Sequence, residues 1–362
     1  MANETSLSTD LIKLKSRIQD WAKDLGFSGF GVADTDISTA EKYLFSWLSK
    51  KQHGEMTFME KHGTRRSKPE ALIPNTVRIL SFRMNYWQEH TTSPEQILGN
   101  RDLAYISRYA LGKDYHKLMR RRLKKISDKI SEQIPGYQFR PFVDSAPVME
   151  KPLAVKAGLG WMGKNTNLID KNSGSWFFLG ELYTNLPLPI DQPQRDLCGS
   201  CTQCMTICPT NAIVAPYQLD ATLCISYLTI EHKTSIPVHL RNSIGNRIFG
   251  CDDCQIVCPW NQYAINTEVH EFSPQHKLDN IDLITLFYWT ADEYKLNTAG
   301  SPLKRVGYEC WLRNIAVALG NSSRSERVIT ALRSRLNHPS LLVREHVLWA
   351  LEQHNLPGSN IN

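Results

Sequence analysis

"CGSCTQCMTICPTNAI" (residues 198–213) sets four cysteines three, three and four residues apart with a proline after the last, and "FGCDDCQIVCPWN" (249–261) repeats the pattern with only three. In a C-x2-C-x2-C-x3-C-P run, three thiolates converge on one 4Fe-4S cube while the fourth turns away to a second. Cys198, Cys201 and Cys204 are therefore expected on a first cluster, and Cys208 on a second. By the same crossing, Cys258 before Pro259 returns to complete the first cluster. Cys208, Cys251 and Cys254 remain for the second, one ligand short.

Two cysteines are left. Cys224, in "DATLCISYLTIEH", lies between the runs and 27 residues before Cys251, where the chain can fold back to the site. Cys310, in "YECWLRNIA", sits on an apolar helical face and reads more simply as a small core residue. Cys224 is thus expected as the eighth ligand. Zinc is the competing reading of C-x2-C pairs; the twice-repeated proline run and the lack of histidines at ligand spacing oppose it.

Outside these runs the chain is an ordinary globular sequence. Its 362 residues are 41% hydrophobic and 22% charged, enough for two or three packed domains and too much for a bare electron carrier. No stretch reaches the roughly 20 apolar residues that span a bilayer, and the N-terminus lacks a signal-peptide pattern. A location in the cytoplasm is expected, which also disfavours disulfides as the use of nine cysteines.

Helical spacing marks residues 8–25, opened by a Ser/Thr/Asp capping region and closed at Gly26, as well as "STAEKYLFSWLSKKQ" and "YHKLMRRRLKKISDKI". "FSGFGVA", "VRILSFRMNY", "YQFRPFVD" and "GSWFFLGELYTNL" read as strands. We expect an α+β multidomain chain: an α/β body over 1–190, a ferredoxin-like region over 191–268 entered through "PLPIDQPQ", and a helical region over 269–362. In the last region "RNIAVALGNSS" and "REHVLWALEQHN", 31 residues apart, resemble paired-helix HEAT-type repeats.

Two one-electron relays in so large a body must feed a chemical site, and residues 143–185 are the candidate. "GLGWMG" (158–163) matches G-x-G-x-x-G, but a helical "EKPLAVKA" precedes it where a strand is required. "GLGWMGKN" approaches a P-loop, yet Asn165 stands where the magnesium-binding hydroxyl belongs.

The ordered set "RYALGKDYH", "VDSAPVMEK", "AGLGWMGKNTNLI", "GSWFFLGE", "CGSCTQCMTICPTNAI", "CISYLTIEH" and "FGCDDCQIVCPWN" resembles the epoxyqueuosine reductase family over nearly the whole chain. The resemblance implies a cobalamin-binding N-terminal body, two 4Fe-4S clusters and a helical repeat tail. It implies removal of the epoxide oxygen of epoxyqueuosine at the tRNA wobble position, with electrons from a low-potential donor such as flavodoxin or ferredoxin, no membrane, and a monomer. Expelling that oxygen needs a proton donor, and the resemblance puts Asp144 in this role. A free aspartate titrates near 4, so apolar neighbours such as Val143, Ala146 and Pro147 are expected to raise it.

Tyr109, Tyr115, Gly160, Gly163, Lys164, Asn165 and Ser175 are expected around the cobalamin. "DYHKLM" nearly matches D-x-H-x-x-G, by which some cobalamin enzymes place a histidine on cobalt, but Met119 replaces the glycine. No protein histidine ligand is therefore expected. Lys151 stands where the family pattern has arginine, and Pro152 is tolerable only in a first helical turn. For tRNA phosphates, the run of Arg120, Arg121, Arg122, Lys124 and Lys125 and the tail, with eight Lys/Arg against four Glu over 301–356, are the candidates. A reductive dehalogenase-like corrinoid enzyme and a two-cluster electron-transfer protein are the alternatives.

Overall fold

The structure, a computed structural model, describes residues 2–355. Its centre is an antiparallel sheet of four strands in the order β1 (Gly29–Ala33), β2 (Arg78–Asn85), β4 (Phe177–Thr184), β3 (Phe139–Phe142). β2 and β4 pair along their whole length, from Arg78 opposite Thr184 to Asn85 opposite Phe177. Both central strands are buried on both faces, so their apolar runs lack the alternation of a strand with one wet side.

Period two still sorts the side chains. Leu80, Phe82, Met84, Phe178 and Leu182 pack with Met119, Leu123, Ile126 and Ile130 of α2 (Tyr115–Ser131) and with Leu14 and Ile18 of α1 (Ala2–Asp24). Ile79 and Tyr183 face the other way, onto Leu153 of α3 (Glu150–Lys156). That second face also carries Ser81, Arg83, Asn85 and Glu181, the polar residues of otherwise apolar strands. α3 reaches the sheet because β1 has a glycine: a Cβ on Gly31 would lie 1.9 Å from the Ala157 carbonyl oxygen.

The expected helices and strands of the body are present, with one difference. α1 begins at Ala2, so the capping region expected at residues 8–10 lies inside the helix. Pro152 occupies the first turn of α3, where its missing N–H is unpaired in any case.

A second core draws on both sides of the boundaries expected near 190 and 268. It joins Ala104, Ile106, Ala110 and Leu111 to Ile225, Leu228, Ile248 and Phe249, and to Trp311, Ile315 and Val347. The strand Arg247–Phe249 pairs in parallel with Tyr105–Ile106. The two similar tail stretches fall in α4 (Tyr308–Gly320) and α6 (Leu341–Asn355), packed together with α5 (Glu326–Arg333) beside them. Cys310 is buried in this core, as expected of a packing cysteine. Among the described residues no helix is long and apolar enough to cross a membrane.

Candidate redox site

The seven cysteines of the two runs and Cys224 are half-buried, whereas Cys310 is buried. Cys198, Cys201, Cys204 and Cys258 line one cavity of about 260 Å³ with Trp260 and Tyr263. The sulfur of Cys258 lies within electrostatic reach of the other three. Cys254 is likewise within reach of Cys224 and Cys208, with Cys204 at the seam between the sets. The turn Ala221–Leu223 brings Cys224 to this group, and the Ser226 hydroxyl donates to the Cys251 carbonyl at 3.4 Å. Burial pushes the Cys251 and Cys254 thiols well up; coordinating iron would remove those protons. Among the described residues no three His, Cys, Asp or Glu side chains converge at the distance of a single ion.

A larger cavity of about 470 Å³ adjoins this group. Tyr86, Tyr109, Tyr115, Phe177 and Phe178 supply its aromatic walls, and Asp144, His116, Lys151, Ser175, Arg305 and Cys224 its polar ones. Asp144 follows the end of β3 in a turn and keeps 39% side-chain exposure, toward this cavity. The Tyr115 hydroxyl donates to its Oδ2, and the His116 Nε2 meets its Oδ1.

This geometry corrects the expectation for Asp144. Burial alone would raise its carboxyl, but the hydrogen bond and charge of His116, the Tyr115 hydroxyl and the Arg305 guanidinium outweigh it and hold the group below the ordinary aspartate value. The apolar neighbours expected to keep it protonated are overruled by two hydrogen-bonding partners and the Arg305 charge. His116 is the group pushed toward its protonated form. Its Nδ1 faces Asp114 at 2.5 Å and its Nε2 faces Asp144, so both nitrogens have a carboxylate to donate to. Burial and the Arg305 charge favour the neutral ring, yet the two carboxylates win and raise its pKa. Asp114, whose side chain also caps α2 through the His116 N–H at 2.9 Å, fixes the ring.

Arg305 Nη2 reaches the two His116 ring nitrogens at 3.0 and 2.7 Å from 189 residues away. Neither residue was singled out as catalytic from the sequence. The D-x-H spacing at Asp114 was a usable signal for His116; nothing local marks Arg305.

Two more carboxyls lie behind Asp144. Glu181, in β4, is fully buried, and neither of its oxygens nor Glu150 Oε1 has a hydrogen-bond partner outside the pair, in which the raised Glu150 carboxyl donates to Glu181. Across the strand pair, opposite Glu181, the Ser81 hydroxyl is also unpartnered. Burial, opposed in part by Glu150, pushes Glu181 up to about 8. Burial and the facing Glu181 and Asp144 charges push Glu150 well above the carboxylate range. A charged residue inside "WFFLGELY", a strand apolar on both sides, was the sequence signal for this pair.

The glycine turn is not a wall of the larger cavity. A Cβ on Gly160 would sit 2.3 Å from the Ile169 carbonyl oxygen, and one on Gly163 2.5 Å from Ile169 Cδ1, so these glycines permit a tight hairpin of Trp161–Met162 with Leu168–Ile169. Lys164 Nζ donates to the carbonyls of Gly199 and Cys201 at 2.6 and 2.9 Å, and Asn165 Nδ2 to that of Cys254 at 3.1 Å. Of these four residues, expected at the cobalamin, the glycines shape the hairpin while Lys164 and Asn165 grip the cysteine segments. Ser175 does line the larger cavity, held by Asn261 at 2.6 Å and Gln255 at 3.0 Å. Tyr109 and Tyr115 do so as well, their rings edge-on with centroids 6.3 Å apart.

The basic run on α2 is thinned by packing. Arg122 donates to the Leu25 carbonyl at 2.7 Å, while Arg120, Arg121, Lys124 and Lys125 remain exposed. In the tail, Arg313 is fully buried and Arg335 and Arg344 bond backbone carbonyls, leaving Lys304, Arg324, Arg327 and Arg333 exposed.

Two rings of thiols beside a cavity that holds an ionised acid–base cluster define an iron–sulfur oxidoreductase. The family model described as epoxyqueuosine reductase QueG, DUF1730, matches residues 66–145, and a 4Fe-4S double cluster binding domain matches 197–261. The chain is 52% identical to epoxyqueuosine reductase of Pseudomonas aeruginosa over 95% of its length and 96% of that protein. It is 51% identical to that of Escherichia coli, covering 95% and 90%. Among solved structures, an epoxyqueuosine reductase with a tRNA-Tyr epoxyqueuosine-modified stem loop matches with a TM-score of 0.87 at 28% identity, covering 96% and 92%. A Bacillus subtilis epoxyqueuosine reductase with its catalytic aspartate loop swung out of the active site matches at 0.84 and 28%, covering 95% and 91%. The chain belongs to the epoxyqueuosine reductase family.

Proposed function

We propose that this protein reduces the epoxide of epoxyqueuosine in a tRNA anticodon to the alkene of queuosine, using cobalamin in the larger cavity and electrons relayed by two 4Fe-4S clusters. One observation carries the reading: Asp144, an acid–base group, and Cys224, a thiol of the second cysteine set, line the same cavity. Cys198, Cys201, Cys204 and Cys258 would hold the first cluster, and Cys208, Cys224, Cys251 and Cys254 the second.

The lining of the cavity supports a flat macrocycle lying against it. Its aromatic walls offer ring faces, and its volume lies in the ~300–1,000 Å³ range of small-molecule sites. Its histidine, His116, has both nitrogens committed to carboxylates, which favours cobalt without a protein histidine ligand. When bound, cobalamin supplies a cobalt nucleophile that takes up electrons singly. Opening the epoxide and losing its oxygen as water takes two electrons and two protons. Asp144 receives the proton held at His116 Nε2 and directs it to the departing oxygen, and reprotonation from solvent supplies the second by the same route, while Tyr115 holds the carboxylate in place. Arg305 offsets the charge of Asp144 and ties the helical tail to the site.

The reading extends to a soluble cytoplasmic monomer served by a flavodoxin- or ferredoxin-like donor. A HEAT-like tail would present Lys304, Arg324, Arg327 and Arg333 to the tRNA, and the exposed cations of α2 would add to them. Anaerobic reconstitution with iron, sulfide and cobalamin, followed by mass spectrometry of treated tRNA, tests the function: the nucleoside should lose one oxygen. Unchanged mass with both clusters and cobalamin loaded would overturn it.

A further inference from the structure

We propose that Lys151 and Asn167 form a positioning pair that aims an amide N–H at the sulfur of Cys254 and raises the reduction potential of the cluster that cysteine holds. The inference rests on the assignment of Cys254 as a ligand of the second cluster.

The pair is built by the hairpin turn at 163–167. The Gly163 N–H donates to the Asn167 carbonyl at 2.8 Å, and the Thr166 N–H returns to the Gly163 carbonyl at 2.8 Å. Thr166 sits at φ 63°, a left-handed conformation that a β-branched residue adopts only when its surroundings impose it. Asn165 then works in two directions: its Oδ1 accepts from the Asn167 N–H at 3.1 Å, and its Nδ2 donates to the Cys254 carbonyl at 3.1 Å. The turn is thereby pinned to the backbone of the cysteine that its next side chain faces.

Lys151 decides which end of the Asn167 amide faces the sulfur. Its Nζ lies 2.8 Å from the Thr166 carbonyl and 3.2 Å from Asn167 Oδ1. An ammonium has three donors and no acceptor, so the amide atom it touches must be the oxygen. The other end, Nδ2, is 3.9 Å from Cys254 Sγ. Without the lysine, the amide is free to flip and present its oxygen to a sulfur rich in negative charge.

Reduction adds an electron to the cluster, so a donor on a ligand sulfur stabilises the reduced form more than the oxidised and moves the potential upward. The Lys151 charge, which burial disfavours and the facing Cys254, Glu150 and Cys224 support, acts in the same sense. A relay feeding a demanding reduction needs its last cluster set against its acceptor, and a side-chain amide is a means of setting it without altering the ligands.

The test is EPR-monitored redox titration of the reconstituted protein. Asn167→Ala should shift the second cluster toward the oxidised form by about tenfold, ~59 mV for one electron, and leave the first unchanged. Lys151→Met should lower the same potential by less, and Lys151→Arg, which keeps charge and donors, should restore it. An unchanged second-cluster potential in Asn167→Ala with full iron overturns the proposal. Should that variant lose iron, an unchanged potential in Lys151→Met does so. Cys254→Ala separates the underlying assignment, since it should lose one cluster; retention of both EPR signals there refutes the ligand reading itself.

Discussion

Asp144 and the Glu150–Glu181 pair lie in one domain, and burial drives all three carboxyls toward the neutral form, yet they end in opposite states. Asp144 faces a hydroxyl, an imidazolium and a guanidinium, and is held ionised. Glu181 is more deeply buried and has only the Glu150 carboxyl to donate to it, with no cation near, so burial wins and it keeps its proton to about pH 8. Donors and cations therefore set the charge at this site more than depth does. The ionised group borders the cavity, where it can exchange a proton with a substrate; the neutral pair lies behind it.

The largest effect should come from removing the ionised group. Asp144→Asn keeps the shape but ends acid–base exchange, and turnover should fall by about 10²–10⁴ with iron and cobalamin content unchanged. Full turnover would show that the cavity carboxylate has no part in the reaction. His116→Gln comes next, with a loss of about 10²; it should also erase the alkaline limb of the rate profile. In the native protein that limb reflects His116, whose pKa is raised, so activity should persist through neutral pH and fall as pH rises through the raised value. The linked stability has the same sign: the contribution of His116 is complete below about 6.5 and is lost through its higher folded pKa. That of Asp144, whose pKa is lowered, is present above about 3.9 and is lost only as pH falls through the lowered value.

The contrast was only partly legible in the sequence. Periodicity marks α2 and the strands, and cysteine spacing groups Cys224 with the second run, because these features are local or follow from cluster geometry. Asp144 stood out only by resemblance, and its neighbours in the chain pointed to the wrong charge. Its partners Tyr115 and His116 come from the start of α2, and Arg305 from a different core, so its electrostatics are set by long-range packing. "GKNTN" looked like a cofactor loop because glycines and a lysine have the same local pattern whether they approach a phosphate or a backbone carbonyl.

The buried pair gives a stability prediction. The folded pKa of Glu181, about 8, lies above the ~4.3 of an unfolded glutamate, so the folded state binds more protons between those values and stability falls as pH rises across them. Glu181→Gln removes its part of the slope and leaves that of Glu150. Thermal melts should show the variant gaining a few degrees over the native protein near pH 8.5 and about matching it at the acid end of the range. A variant less stable at both ends would mean that the carboxylate is ionised and paired in the folded protein.

Tyr115→Phe should produce the smallest change. The ring stacks on Phe178 with centroids 3.8 Å apart and planes 11° from parallel, so packing holds it without the hydroxyl. What is lost is one donor to Asp144, worth about 0.5–1.5 kcal/mol, or roughly a 2–10-fold fall in turnover. With its charge less shared, Asp144 should bind the His116 proton more firmly, and the alkaline limb should move to higher pH. The phenol, which burial and the Asp144 charge keep protonated, then acts only to hold the carboxylate. A loss as deep as that of Asp144→Asn would instead make the phenol the group that protonates the departing oxygen, with Asp144 as its base.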